Sequence, residues 1–307
     1  MSQASFQGVL APVLTPFRPN YVINREAFLT HCRWLLDQGA DGLAVFGTTS
    51  EANSLGLDER IDLLDYLIDS GIPPARLMPG TGTCAITDTV RLTSHAVDHG
   101  CGGVLVLPPF YFKGVSDDGL FASYAEIIER VGSDALKLYL YHIPPISQVG
   151  LSLDLIGRLL TAYPDTIVGL KDSSGDWTNT LSILSEYPKL TTFCGSERFL
   201  LDTLRNGGAG TITASGNVNP AGIRKVYENW ESAEADSLQA AITKLRICFE
   251  GRPLLPALKA IVADFCGDPD WRIMRPPLLA LEDTDSRAIV AELAEMGFRM
   301  GDSDVNA

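Results

Sequence analysis

The chain has 307 residues, 46% apolar and 20% charged, with a formal net charge of −14. That is the balance of a globular protein with room for one large α/β barrel or two ordinary domains. The negative charge repels nucleic acid rather than gathering it, and no stretch approaches the ~18 uninterrupted apolar residues of a membrane span.

The opening residues, Met1 to Ser5, show neither the basic start nor the apolar core of a secretory leader, so the expected location is the cytoplasm. Apolar runs then recur at 8–14, 42–46, 76–80, 103–107, 136–141, 166–171, 190–194 and 208–213. Each reads as a short strand buried on both faces. Amphipathic stretches at 60–68, 88–99 and 119–131 read as helices between them. Eight strands alternating with helices predict an α/β fold, a (β/α)8 TIM barrel over residues 1–219 that carries the functional site. A doubly wound sheet alternates too, but it wants a glycine-rich turn after its first strand, and the segment from Val13 to Phe17 has none. From Pro220 onward the pattern is helical, at 222–232, 234–248, 256–265 and 285–296. Pro253, Pro256, Pro269, Pro276 and Pro277 mark the breaks. This predicts a C-terminal helical extension over 220–307, behind the barrel.

The six cysteines (Cys32, Cys84, Cys101, Cys194, Cys248, Cys266) are scattered with no C-x-x-C pair, which reads as reduced thiols rather than a zinc site or a disulfide framework. His95 and His99 stand four apart and share a helix face. They lack the glutamate of H-E-x-x-H, and two ring ligands without a third leave a metal's coordination incomplete, so no metal is expected.

One residue stands against its surroundings. Lys171 closes the run Thr166-Ile167-Val168-Gly169-Leu170, and a buried strand seldom ends in an ammonium group without a reason. Burial disfavours the charged form of an amine, and a neutral amine attacks ketones to give an imine. The plain alternative is a lysine that snorkels to water or pairs with the adjacent Asp172.

In a barrel of this kind chemistry gathers where strands end. Those positions hold Gly47-Thr48-Thr49-Ser50-Glu51, Pro108 to Phe112, Tyr141-His142-Ile143-Pro144, Lys171, Gly195-Ser196-Glu197 and Gly210 to Thr213. The Gly47 turn offers hydroxyls and consecutive N–H groups to a carboxylate, or it is a helix cap. Tyr141, one strand from Lys171, is a proton relay or a plain packing tyrosine. Glu51 reads most simply as a helix first-turn charge.

Three of these motifs, Gly47-Thr48-Thr49-Ser50-Glu51, Tyr141-His142-Ile143-Pro144 and Gly169-Leu170-Lys171-Asp172, fall in the order and spacing of the dihydrodipicolinate synthase / N-acetylneuraminate lyase family. The resemblance runs through to Arg275-Pro276-Pro277-Leu278 in the helical tail. It implies a class I pyruvate aldolase with no cofactor beyond a covalent imine on Lys171. Tyr141 resembles the proton relay. Thr48 and Thr49 resemble the site for the 2-oxo acid carboxylate, Thr49 nearer the relay, with Gly47 and Ser50 in the same turn. Gly195 and Ile212 match residues beside the bound pyruvate. Tyr111 matches a tyrosine that reaches a neighbouring subunit's site, which implies a homo-oligomer, commonly a tetramer built as a dimer of dimers.

Two positions depart from the family pattern. Ser50 stands where a glycine is usual; it is tolerable if φ stays negative, and it can also lend a hydroxyl to the site. The stretch Pro144 to Gly150 lacks the arginine that clamps the distal carboxylate of aspartate semialdehyde in the synthases. Unless an arginine from another loop takes that role, Ser147, Gln148, Ser173, Ser174, Ser196 and Glu197 suit a hydroxylated tail. The expectation is therefore a lyase that cleaves a 2-keto-3-deoxy sugar-acid-like 2-oxo acid to pyruvate and an aldehyde. Dehydration through the same imine and synthase-type condensation are the alternatives within that chemistry. Outside it stand a keto-acid sensor and a metal-dependent aldolase, which product release and resistance to a chelator, respectively, would separate.

Overall fold

A computed structural model describes residues 5–301; residues 1–4, most of the segment read for a leader, and 302–307 lie outside it. Seven strands form one parallel sheet: β1 (Gly8–Ala11), β2 (Gly42–Leu43), β3 (Val104–Val106), β4 (Leu138–His142), β5 (Ile167–Asp172), β6 (Thr191–Cys194) and β7 (Gly210–Ile212). Their order is β2-β1-β7-β6-β5-β4-β3, leaving a gap between β2 and β3. The expected strand at 76–80 fills that gap through two isolated bridges, Leu43 with Leu77 and Gly80 with Leu105. Its ladder is broken because Pro79 has no N–H to give, although Met78 and Gly80 still donate to Leu43 and Val45 at 2.9 and 2.7 Å. The sheet therefore closes into the expected barrel.

Side chains alternate across each strand. Leu10, Ala44, Met78, Leu105, Tyr139, Phe193 and Ile212 form one interior cluster, while Val9 and Ala11 face the helices. Gly169 is required in this interior: a Cβ there would stand 2.3 Å from the Tyr139 ring.

Helices Leu57–Asp69, Ile86–Asp98 and Asp117–Val131 lie where the periodicity put them. Arg25–Asp37, Leu153–Ala162 and Trp177–Glu186 did not stand out by periodicity, yet each starts at a capping side chain: Asn24, Ser152 and Asp176 accept from Ala27, Leu155 and Thr178 N–H. Pro220–Glu228 packs Ile223 and Val226 with Val9 of β1 and Leu200, and so serves as an outer helix of the barrel.

The later helices Ala235–Ile247, Leu254–Cys266 and Asp283–Glu295 pack with Leu14 and Val218, which lie beyond the carboxyl ends of β1 and β7. The extension thus covers the barrel mouth rather than its back. All six cysteines are free. Burial pushes Cys101 and Cys194 up to about 12 and 11, which keeps these thiols protonated and inert.

His31 joins barrel and extension. It is 4% exposed, stacks on Trp34 and meets Trp271 edge-on. Asn217 Oδ1 accepts from Leu14 N–H at 3.0 Å, and the same oxygen accepts from His31 Nε2 at 3.1 Å, which puts a proton on Nε2. Burial pushes the His31 pKa from 6.5 down to about 4, against the opposing Asn217 bond. Below pH 6.5 the unfolded chain binds a proton that the folded chain refuses until about 4, so stability falls through that window. We predict that, between pH 7 and 4, the unfolding free energy of the native chain drops by about 3 kcal/mol more than that of His31→Gln. Denaturant titrations at stepped pH check this, and parallel curves contradict it.

Candidate active site

At the carboxyl end of the barrel lies a cavity of about 210 Å3, lined by Thr48, Thr49, Tyr141, Lys171 and Gly195, and by Arg246, Leu254 and Leu255 from the extension. It is smaller than the ~300–1,000 Å3 typical of sites for drug-sized ligands, which suits a metabolite of a few carbons.

Strand register builds its floor. Tyr141 and Lys171 are direct partners across β4 and β5, and Lys171 pairs with Phe193 on β6, so both functional side chains point inward above the Tyr139 layer. Asp172 points the other way. Its carboxylate accepts from Ser174 N–H at 2.9 Å, Asn179 Nδ2 at 3.0 Å and Thr180 Oγ1 at 2.6 Å. The ion pair between Lys171 and Asp172 that sequence adjacency allowed therefore does not form.

Lys171 is 5% exposed, and no carboxylate lies within 4.0 Å of its amine among the described residues. Its Nζ donates to Tyr141 Oη at 3.4 Å and stands 4.5 Å from that ring's centroid. Tyr141 Oη in turn meets Thr48 Oγ1 at 3.4 Å. Amine, phenol and hydroxyl form one chain along the cavity wall.

The Thr48–Thr49 turn is uncommitted on its cavity side. Its backbone bonds begin with Ser50 N–H and leave the Thr48 and Thr49 amides unused among the described residues. Left-handed residues flank it, Phe46 at φ 59° and Glu51 at φ 56°, conformations that cost on the order of 1–3 kcal/mol each and persist only when neighbours hold them. Glu51 supplies the hold. It is 3% exposed, salt-bridged to Lys259 of Leu254–Cys266 and bonded to Arg275 N–H at 3.2 Å. The reading of Glu51 as a first-turn charge is thus corrected, and Lys259 is a buried lysine that the sequence does not single out. Burial lowers the Lys259 pKa to about 8 against the pull of Glu51. Arg275 completes the tie through Glu59 and the Ser54 carbonyl, both at 2.7 Å.

The other expected site residues divide. Gly195 lines the cavity and must be glycine, since a Cβ would stand 2.8 Å from the Asp172 carbonyl oxygen and from Ser173 Cα. Ser50 keeps φ negative, but its hydroxyl donates to the Val13 carbonyl at 2.5 Å and does not reach the cavity. Gly47 shapes the turn from behind, its carbonyl accepting from Ser50 and Ala52. Ile212 packs in the interior cluster with Tyr141 and Phe193 rather than on the cavity wall. Tyr111 is 74% exposed, its ring meets Phe112 edge-on, and it stands outside the cavity of its own chain. Burial keeps His142 below its ordinary pKa, with Asp172 opposing; its Nδ1 accepts from Leu151 N–H at 2.9 Å.

Away from the mouth, Asp65 of Leu57–Asp69 meets His95 and His99, so the third ligand that the sequence lacked locally arrives from a neighbouring helix.

Residues 5–296 match the dihydrodipicolinate synthetase family. An uncharacterized DapA-like lyase of Chloroflexus aurantiacus is 33% identical over 93% of this chain and 95% of its own. Among solved structures, dihydrodipicolinate synthase from Agrobacterium tumefaciens superposes with a TM-score of 0.87 at 34% identity, covering 94% of this chain and 98% of its own. YagE of Escherichia coli K12, solved with pyruvate, gives 0.86 at 25% identity over 95% and 99%. The chain belongs to the dihydrodipicolinate synthetase family and is an enzyme of its lyase class.

Proposed function

We propose that Lys171 forms a Schiff base with the C2 ketone of a 2-oxo acid and that the protein cleaves a 2-keto-3-deoxy sugar-acid-like substrate to pyruvate and an aldehyde. One observation carries this reading: among the described residues, a buried amine with no carboxylate beside it faces an open cavity and is bonded to a phenol. A structural lysine at such depth would be paired, as Lys259 is.

The chemistry derives from the geometry. The substrate carboxylate lies on the Thr48 and Thr49 hydroxyls and free amides. The Lys171 amine adds to C2, the carbinolamine loses water, and the resulting iminium draws electrons. Tyr141 gives its proton to the hydroxyl that leaves as water, the resulting phenolate takes the C4 hydroxyl proton, the C3–C4 bond breaks, and its electron pair passes to the iminium as an enamine while the aldehyde leaves. Protonation at C3 and hydrolysis then release pyruvate and the free amine. Tyr141 Oη, bonded to the Lys171 amine and to Thr48 Oγ1, supports its assignment as the proton relay. Ser173, Ser196 and Gly175 at the cavity wall suit a hydroxylated tail.

A panel of 2-keto-3-deoxy acids assayed for pyruvate release tests this reading. At least one member should turn over, and Lys171→Ala should lower its rate by at least about 10³-fold with the fold intact by circular dichroism. Turnover that survives in Lys171→Ala sinks the proposal. Tyr141→Phe should lower kcat by about 10²–10⁴-fold while the substrate still binds. An unchanged kcat would assign the relay elsewhere.

A further inference from the structure

Three charged residues border the cavity, Lys171, Asp172 and Arg246, and the Asp172 side chain points away from it. Asp172 is consumed by its three hydrogen bonds and Lys171 is the nucleophile. Arg246, in the last turn of Ala235–Ile247, is neither paired nor explained. Its one hydrogen bond among the described residues runs from Nη1 to Ser215 Oγ at 3.3 Å, and no carboxylate there lies within 4.0 Å. The nearby acid, Glu197, is 1% exposed and already committed: it accepts from Ser215 Oγ and, at 2.5 Å, from Thr213 Oγ1. Ser215 thereby holds Arg246 in place without neutralising it. A guanidinium carries five N–H donors in a planar fork, most of them unused here. A positioned guanidinium with open donors and no direct carboxylate partner on the wall of a small site is what an anionic ligand group requires.

We propose that Arg246 binds an oxyanion at the far end of the substrate, so that the natural 2-oxo acid ends in a carboxylate or a phosphate ester rather than a primary alcohol. This rests on the reading of the cavity as the imine site and adds the tail's charge to it. The test separates the two claims by measuring binding where no imine can form. Calorimetry on Lys171→Ala compares six-carbon 2-keto-3-deoxy acids that end in CH2OH, carboxylate or phosphate. An anion-ended ligand should bind at least about tenfold more tightly than the alcohol. Adding Arg246→Met should erase that preference and change the alcohol's affinity by less than about threefold. In the native enzyme the same ratio should appear in kcat/KM. Equal affinities, or a preference that survives Arg246→Met, overturns the proposal, whichever way native turnover falls. The better of the two anions identifies the terminal group.

A separate observation carries a second inference. Asp65, His95 and His99 present ligand atoms all within 4.8 Å of one another. Asp65 Oδ1 lies 2.8 Å from His95 Nε2 and 3.5 Å from His99 Nε2. His99 Nδ1 stands 2.9 Å from the His95 carbonyl, which can only accept, so the proton sits on Nδ1 and the Nε2 lone pair faces the cluster. We infer a divalent-cation site of two imidazoles and one carboxylate, suited to zinc with water completing the shell, that staples helices Leu57–Asp69 and Ile86–Asp98. Titration of tag-free protein with Zn2+ alone should show one site per chain that raises the thermal midpoint. His99→Ala and Asp65→Asn should each weaken it at least about tenfold. No saturable binding, or binding that both variants retain, contradicts it.

Discussion

A lysine amine held in a barrel with no counterion among the described residues is the constraint on which the site depends. The chain holds two lysines at comparable depth, and they are solved oppositely. Lys259 sits in a helix interior, 0% exposed, and its charge is met by Glu51 and the Ile273 carbonyl. Removing one partner of such a pair leaves an uncompensated charge and costs about 3–5 kcal/mol. Lys171 is nearly as buried, but its neighbours are a phenol, an aromatic face and empty volume. The first arrangement is cohesion. The second leaves an amine facing a cavity, as the proposed nucleophile requires.

The two are mechanically linked. The turn that faces Lys171 is strained at both ends, and the residue closing it, Glu51, is the one that Lys259 and Arg275 grip. The extension therefore does more than cover apolar surface at the mouth: it holds the left-handed Glu51, and with it the Thr48 and Thr49 amides, in place. The same extension brings Arg246 and Leu254 to the cavity wall. Barrel and tail make one site.

Much of this is legible in the sequence because a parallel barrel puts function at strand ends. Apolar runs mark the strands, and Lys171, Tyr141 and the Thr48–Thr49 turn stand at or just past the ends of those runs. What stays hidden comes from residues whose sequence context is ordinary. Arg246 and Lys259 sit in amphipathic helices where a cation is usual, and only tertiary packing turns one toward a cavity and the other toward Glu51. Asp65 is far in sequence from the histidines it joins. Ser50 offers a hydroxyl next to the turn, but the backbone of Val13 takes it. The strand at 76–80 is recognisable by its apolar residues, while Pro79 reduces its pairing to bridges.

The central claim is that the reactive nitrogen belongs to Lys171 and to no other lysine. Sodium borohydride added with pyruvate reduces an imine to a stable amine, and peptide mapping then locates it. The account predicts one pyruvyl-derived label, on the peptide containing Lys171 and absent from that containing Lys259. A label on Lys259, or none at all under conditions where the protein is folded, would contradict it.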